Sequence, residues 1–358
     1  MITEHPADFD QIIRASDPDV ILEVLMAELA SRCRPANEAA SLSVQYRVDF
    51  GAFQRDCLLR IKSETVDITM CSIDESSLTV LVSVQELCAG LFAAPERSPS
   101  MLGVLAGDAS LYEDFHACFP EPRDLTELAM FYGSDKWGMH RYTPHYEFHL
   151  GGHRDRAVRL LEIGVGGHRD PYSGGASLRM WEEYFPRGLI YGVDIFDKRP
   201  LNRGRVRTFQ GHQADHGFLD TLLSETGELD IVIDDGSHIN SHVIASFCSI
   251  FPHLRDGGLY VVEDVQTSYW PGYGGSSVEL NDPSASMGFF KAMVDGLNYE
   301  EYIGIDYRPT YTDLKIVNIS FYHNLIFVRK GDNREGTFPA NRPRIPTVDI
   351  PVPQGGNS

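Results

Sequence analysis

The stretch LLEIGVGGHRDPYSGGASLRMWEEYFPRGLIYGVDIFD, Leu160 to Asp197, sets the architecture of this chain. An apolar run ends at Glu162 and opens into a glycine loop carrying Gly164, Gly166 and Gly167. A helical stretch follows, and a second apolar run, Leu189 to Val193, ends at Asp194. This is a βαβ unit in which bare backbone can approach a ligand and an acid waits at the tip of the next strand. A dinucleotide site would read GxGxxG. Here the third glycine position is Arg169, and no phosphate-cradling Lys-Ser/Thr follows. A nucleoside without a pyrophosphate fits better, with Asp194 bidentate to the ribose hydroxyls, and S-adenosylmethionine is the leading candidate.

Working outward, strand and helix patterns alternate from Arg159 on. Apolar strands are expected at Arg159–Ile163, Leu189–Val193, Val206–Gln210, Leu229–Ile233 and Gly258–Val262, with helices near Ser177–Tyr184, His216–Glu225 and His242–Leu254. Such alternation implies a parallel sheet wound on both faces. Leu314–Ile319 and Phe321–Arg329 are too closely joined for an intervening helix and should pair as an antiparallel hairpin. The expected fold is α/β, a doubly wound sheet over 126–332. Before it, residues 1–125 form an auxiliary α+β region, with a helix over Pro18–Arg32 and antiparallel strands in SLSVQYRVDF and CLLRIKSETVDITMCSI, where Val66, Ile68 and Met70 share a face. SLTVLVSVQELCAGLFAA reads equally as strand or helix. Residues 333–358, rich in Pro, Gly and Asn, form a tail.

The segment LDIVIDDGSHIN, Leu229 to Asn240, is a buried strand pattern ending in Asp234, Asp235 and His238. One strand later, GGLYVVEDV places Glu263 and Asp264 at the equivalent tip. Ligands in open α/β sheets bind at the carboxyl ends of strands. Carboxylates packed so closely repel and take up protons unless a cation compensates. Asp235, Glu263 and Asp264 make an oxygen-only set that suits Mg²⁺. His238 and His242, four apart, also fit a zinc pair, but no thiolate partner stands near them. Asp235 as a simple helix cap is the bland alternative. The second acidic strand tip behind a nucleotide-type loop argues for the metal.

His238 is the expected general base. A hydroxyl resembling water, with a pKa of about 15.7, lies roughly nine units above a histidine near 6.5, or about 12 kcal/mol. Histidine alone cannot bridge that gap. A divalent ion on the hydroxyl oxygen lowers its pKa by several units, and His238 can then accept the proton. The cofactor pocket should be completed by Glu162, Ser177, and, after the third strand, Gln213 and Asp215. In MFYGSDKWGMHRYTPHYEFHL, Met130 to Leu150, the GSDKW turn, with Lys136, is expected to close over the cofactor's amino-acid end. Trp137, Tyr142 and Tyr146 are candidates to stack on sugar faces. A second candidate lid, Ser268 to Met287, offers Tyr269 and Trp270 to substrate, with glycines as hinges.

Composition bounds the rest. The 358 residues suffice for two domains. A formal net charge of −20 argues against a nucleic-acid partner, and the densest basic segment, Lys198 to Arg207, is short. No apolar run approaches the roughly 20 residues of a membrane span, and the acidic N-terminus lacks the pattern of a secretory signal. Six cysteines without a CxxC pair read as buried thiols in a reducing cytoplasm.

GSDKWG with TPHYE, LLEIGVGG, GVDIF, IDDGSH and VVEDV, in this order, resemble the mycinamicin-type macrolide glycoside 2''-O-methyltransferases over residues 125 to 330. The resemblance implies an S-adenosylmethionine- and Mg²⁺-dependent enzyme that methylates a sugar hydroxyl of a polyketide glycoside. It carries the metal ligands to Asp235, Glu263 and Asp264 and the base to His238. It carries the cofactor contacts to the loop from Glu162 to His168, Ser177, Asp194 and Asp235. It further implies a tetramer to which the auxiliary domain contributes. A catechol-type methyltransferase and a non-catalytic cofactor-binding scaffold are the rivals.

Overall fold

A computed structural model describes residues 6–33, 41–62, 65–70, 76–92, 98–119, 122–302 and 306–336. The chain divides into two compact units, Met1–Glu127 and Leu128–Ser358.

The first unit begins with α1 (Pro6–Ala15) and α2 (Pro18–Arg32). Asp17 caps α2 by accepting a hydrogen bond from Asp19 N at 2.8 Å, and Pro18 supplies a preset first-turn φ. Strands β1 (Leu42–Asp49), β2 (Gln54–Ile61), β3 (Val66–Thr69) and β4 (Leu78–Ser83) follow, then α3 (Val84–Phe92), β5 (Val104–Gly107) and α4 (Tyr112–Ala117). The ambiguous SLTVLVSVQELCAGLFAA thus splits, strand first and then helix, at Ser83, whose Oγ accepts from Glu86 N at the helix start. The sheet order is β3-β2-β1-β4-β5, with β1 and β4 parallel and the other pairs antiparallel. Leu22, Leu25, Met26 and Leu29 of α2 pack with Val44, Tyr46, Val48 and Leu59 of the sheet. At edge strand β3, Val66 packs against the core while Ile68 and Met70 are exposed.

A helix, α5 (Leu125–Tyr132), spans the division, and α6 (Thr143–Leu150) leads into β6 (Arg159–Ile163). Then come α7 (Ala176–Tyr184), β7 (Leu189–Asp194), β8 (Val206–Gln210), α8 (His216–Thr226), β9 (Leu229–Asp234), α9 (Asn240–Ile250), β10 (Leu254–Glu263), α10 (Ser286–Gly296), α11 (Tyr311–Lys315), β11 (Ile316–Tyr322) and β12 (Leu325–Lys330). The sheet order is β11-β12-β10-β9-β6-β7-β8. Only the β11–β12 and β12–β10 pairs are antiparallel. The protein is therefore α/β, with a mostly parallel sheet closed by an antiparallel hairpin in the second unit and a mixed sheet in the first.

The central strands are buried along nearly their whole length, which is why they read as unbroken apolar runs. Chain direction across the sheet reverses between β6 and β9, so the loops after these strands splay apart and open a crevice at their carboxyl ends. The hairpin differs from expectation at its start. Leu314 and Lys315 end a helix, because Thr310 and Asp313 form a reciprocal capping box that commits the segment to helical geometry. Cys33, Cys57, Cys88 and Cys118 are buried, whereas Cys248 of α9, expected to be buried, is exposed. Cys71 and tail residues 337–358 lie outside the described residues.

Candidate functional site

The crevice is a cavity of about 600 Å³, within the range of small-molecule sites. Its walls are Gly133, Ser134 and Asp135 of the GSDKW turn, the glycine loops 163–166 and 174–177, His168, the β7 tip 193–196, residues 211–213 after β8, residues 235–238 after β9, and Asp264 after β10. Gly164 has a φ of +96° and packs against the next strand's loop, where an added Cβ would lie 2.0 Å from the Asp235 carbonyl oxygen. Gly166, with a φ of +76°, has no heavy atom within 4 Å of its would-be Cβ, so its backbone stands bare toward open space. Gly167 serves the loop itself. It closes onto the Ser173 carbonyl and does not line the cavity. The buried Lys198 ammonium donates to the carbonyls of Asp170 and Ser173 at 2.7 and 3.0 Å, fixing the loop from beneath.

At the β7 tip, both Asp194 oxygens are aimed by backbone amides. Val165 N donates to Oδ2 at 3.1 Å and Phe196 N to Oδ1 at 2.9 Å. His168, Ser177 and Gln213 also line the cavity. Ser177 donates to Glu162 Oε2 at 2.7 Å. Gln213 bridges the interior, donating to buried Asp234 at 3.0 Å and accepting from Ser237 N at 2.7 Å. Asp215 faces none of this. It is the N-cap of α8, accepting from Phe218 N, so the expected cofactor contact is corrected to a helix cap.

Deeper in, the ends of β6, β9 and β10 deliver Glu162, Asp235 and Glu263 around the fully buried Lys136 ammonium, at 3.1, 2.9 and 2.6 Å. Lys136 does not line the cavity, so its expected contact with the cofactor is corrected to a buried ion-pair hub. Burial alone would lower the ammonium's pKa, but the fields of Asp235, Glu263 and Glu162 together hold it well above its ordinary value. Burial drives Glu263 well above the carboxylate range, with Asp235 adding to the effect, and it also raises Asp235 and Glu162.

Tyr142 and Tyr146, four apart at the start of α6, are buried and turned toward these acids. Tyr142 OH donates to Asp264 Oδ1 at 2.7 Å, and Tyr146 OH donates to Glu263 Oε1. Neither ring has a face free for a sugar, so their expected stacking role is corrected to that of carboxylate anchors. Trp137 is half-buried and, like Tyr269 and Trp270, lies outside the cavity lining. Trp270 is exposed and packs at an angle on Tyr273. The expected hinged lid is also tied down. The buried Asn240 side chain donates to the carbonyls of Thr267 and Tyr273 and accepts from Ser286 N at 2.7 Å. Asn240 was invisible as a functional residue in the sequence because its partners lie 27 to 46 positions away.

These anchors leave a pattern. Asp264 turns Oδ1 to Tyr142 and brings Oδ2 to 3.8 Å from His238 Nε2. Asp235 turns Oδ2 to Lys136 and brings Oδ1 to 4.0 Å from the same nitrogen. Lys136 and Tyr146 both engage Glu263 through Oε1. Asp235, His238 and Asp264 each offer a donor atom within 4.8 Å of the others, as do Glu162, Asp235 and Glu263. The expected trio of acids is thus divided between two groups that share Asp235. His238 and Asp264 have left-handed φ values of 57° and 53°, unusual for residues with a Cβ.

Comparison with known proteins gives the kinship. No family model matches the chain. It is 38% identical over 365 residues to mycinamicin VI 2''-O-methyltransferase of Micromonospora griseorubida, covering 95% of this chain and 91% of the relative. The chain belongs to the macrolide and polyketide-sugar O-methyltransferase family. It is 37% identical to demethylmacrocin O-methyltransferase of Streptomyces fradiae, over 98% of this chain and 95% of that enzyme. The crystal structure of MycE from the mycinamycin biosynthetic pathway, in complex with Mg and SAH, matches with a TM-score of 0.71 at 37% identity, covering 95% of this chain and 93% of that one. This protein is an S-adenosylmethionine-dependent O-methyltransferase. Among its described residues, no helix is long and apolar enough to cross a membrane.

Proposed function

We propose that this methyltransferase transfers the methyl group of S-adenosylmethionine to a sugar hydroxyl of a glycosylated polyketide. Asp235, Glu263 and Asp264 hold Mg²⁺, and His238 is the base. The observation that carries this reading is that one cavity is lined both by the glycine loop and by Asp235, His238 and Asp264. The residues suit both groups. Gly166 offers bare backbone and Asp194 an aimed carboxylate to a nucleoside. Asp235 and Glu263, held high by burial, are acids that a divalent cation would relieve. When bound, Mg²⁺ supplies Lewis acidity that lowers an alcohol's pKa by several units, and the sulfonium cofactor supplies the methyl.

The chain's own residues do the rest. Asp194 accepts from the ribose hydroxyls, and Glu162, with Ser177, sits beneath the glycine loop toward the amino-acid end. Tyr142 holds Asp264 through Oδ1 and Tyr146 holds Glu263 through Oε1, which fixes the two acids in place. His238 Nε2, beside Asp235 Oδ1 and Asp264 Oδ2, takes the hydroxyl proton. Homo-oligomeric assembly, a tetramer by the sequence resemblance, and a cytoplasmic site of action belong to the same proposal, the first read by light scattering.

The test is methyl transfer from S-adenosylmethionine to a panel of macrolide and aromatic polyketide glycosides, their aglycones and simple catechols, followed by mass spectrometry. Methylation confined to the glycosides supports the reading. Turnover of catechols alone replaces it with the phenol chemistry of a catechol-type enzyme.

A further inference from the structure

We infer that Lys136 is a positioning residue acting as a built-in second cation: its ammonium occupies a seat among Glu162, Asp235 and Glu263 that a divalent ion would otherwise take. The inference rests on the proposed Mg²⁺ site, to which it adds a neighbour.

Three adjacent strands, β10, β9 and β6, each end in one of these carboxylates, and the Lys136 ammonium lies within 3.1 Å of all three. Their oxygens fall within 4.8 Å of one another, a spacing that suits a metal ion. The neighbouring group, Asp235, His238 and Asp264, has the same compactness and shares Asp235. With Glu263 also a proposed Mg²⁺ ligand, the two seats share Asp235 and Glu263, and cation seats bridged by carboxylates are the arrangement of a two-metal centre. Here a lysine fills one of them.

Two further observations separate this from an ordinary buried ion pair. Glu162 Oε1 is buried and faces the Lys136 ammonium at 3.1 Å, so removing the lysine leaves this carboxylate oxygen buried without its cation. The lysine itself is also fixed in place. Ser134 Oγ accepts from its backbone N–H, its carbonyl accepts from Tyr142 N at 3.0 Å, and its side chain has no exposure to solvent. Full burial and the three carboxylates hold the ammonium in this seat. Its position fixes which oxygen of Asp235 is left to face His238, and it joins that acid to Glu162, the partner of Ser177 beneath the cofactor loop.

The test uses the full chain with Mn²⁺ as the probe, counting bound ions by equilibrium dialysis with electron paramagnetic resonance and following thermal melting in chelator and in Mn²⁺. Wild type should bind one ion, Lys136→Met two, and Lys136→Arg, which keeps the charge, one. Mn²⁺ should raise the melting temperature of Lys136→Met several-fold more than that of wild type. One ion bound to Lys136→Met would overturn the inference and leave the proposed Mg²⁺ site standing, since a purely structural lysine lowers stability without changing the count. Failure of Lys136→Met to fold even in saturating Mn²⁺ would also overturn it, because the ion is held to replace the ammonium. No ion bound to wild type would instead sink the proposed Mg²⁺ site, and this inference with it.

Discussion

Replacing Gly164 with alanine perturbs the junction where the cofactor loop meets the metal acids. A Cβ at this position would lie 2.0 Å from the Asp235 carbonyl oxygen, 2.8 Å from its carbon and 3.2 Å from Gly236 Cα. Every one of these is a backbone atom, so no side-chain rotation relieves the contact. Real Cβ contacts stay beyond 3.0 Å, so the Asp235 backbone must retreat by at least 3.0 − 2.0 = 1.0 Å. That movement carries the carboxylate shared by both donor groups. A misplacement of about 1 Å in a catalytic constellation costs on the order of 100-fold in rate, or about 2.7 kcal/mol at 1.36 kcal/mol per decade. The left-handed φ of +96° adds strain of about 1–3 kcal/mol, which appears as lost stability. Gly166→Ala is the control, since it bears a similar φ strain but meets no atom within 4 Å. Steady-state methyl transfer and Mg²⁺ titration calorimetry on both variants separate the effects. Gly164→Ala should lose about 100-fold in kcat/KM and bind Mg²⁺ more weakly, while Gly166→Ala keeps its Mg²⁺ affinity. Gly164→Ala within threefold of wild type, or equal Mg²⁺ weakening in both variants, would break the argument.

Three further outcomes are expected. His238→Ala should lose roughly 10²- to 10⁴-fold in kcat with cofactor affinity unchanged by calorimetry; wild-type turnover would reassign the base. Tyr142→Phe removes a hydrogen bond to a carboxylate, worth about 1.5–3 kcal/mol, and should weaken Mg²⁺ binding by roughly 10- to 100-fold at 1.36 kcal/mol per decade; unchanged affinity would show that Asp264 needs no anchor. His149 is buried, stacked on Phe327 and bonded to Tyr322, and burial lowers its pKa from 6.5 to about 4. Between these values the unfolded chain binds a proton that the folded one refuses. Its contribution is therefore complete above pH 6.5 and lost as pH falls toward 4, at most about 3 kcal/mol. Thermal melts from pH 7 to 5 should fall more steeply for wild type than for His149→Gln, and parallel slopes would contradict this.

The strand tips were legible in the sequence for a physical reason. A parallel strand buried on both faces must be an apolar run, and functional acids stand where that run stops, with Asp194 and Asp235 facing the cavity and Glu162 and Glu263 buried around Lys136. The glycine loop was legible because its backbone angles exclude side chains. What escaped were partners brought together over distance. Lys136 meets Asp235 across 99 residues and Glu263 across 127, so no local spacing announces an ion-pair hub. Tyr142 and Tyr146 were visible as aromatics, but which side of α6 is buried depends on the sheet edge it packs against. Asp215 and the Thr310–Asp313 box were local cap signals, and in each case the cap is what formed.

The whole scheme depends on a divalent cation among the strand-tip acids. Wild-type methyl transfer to a polyketide glycoside, followed in EDTA and then with Mg²⁺ added in excess, puts that dependence to the test. Turnover should vanish in the chelator and return with Mg²⁺. Undiminished turnover in EDTA would mean that Asp235, Glu263 and Asp264 serve some other purpose and that His238 works without metal assistance.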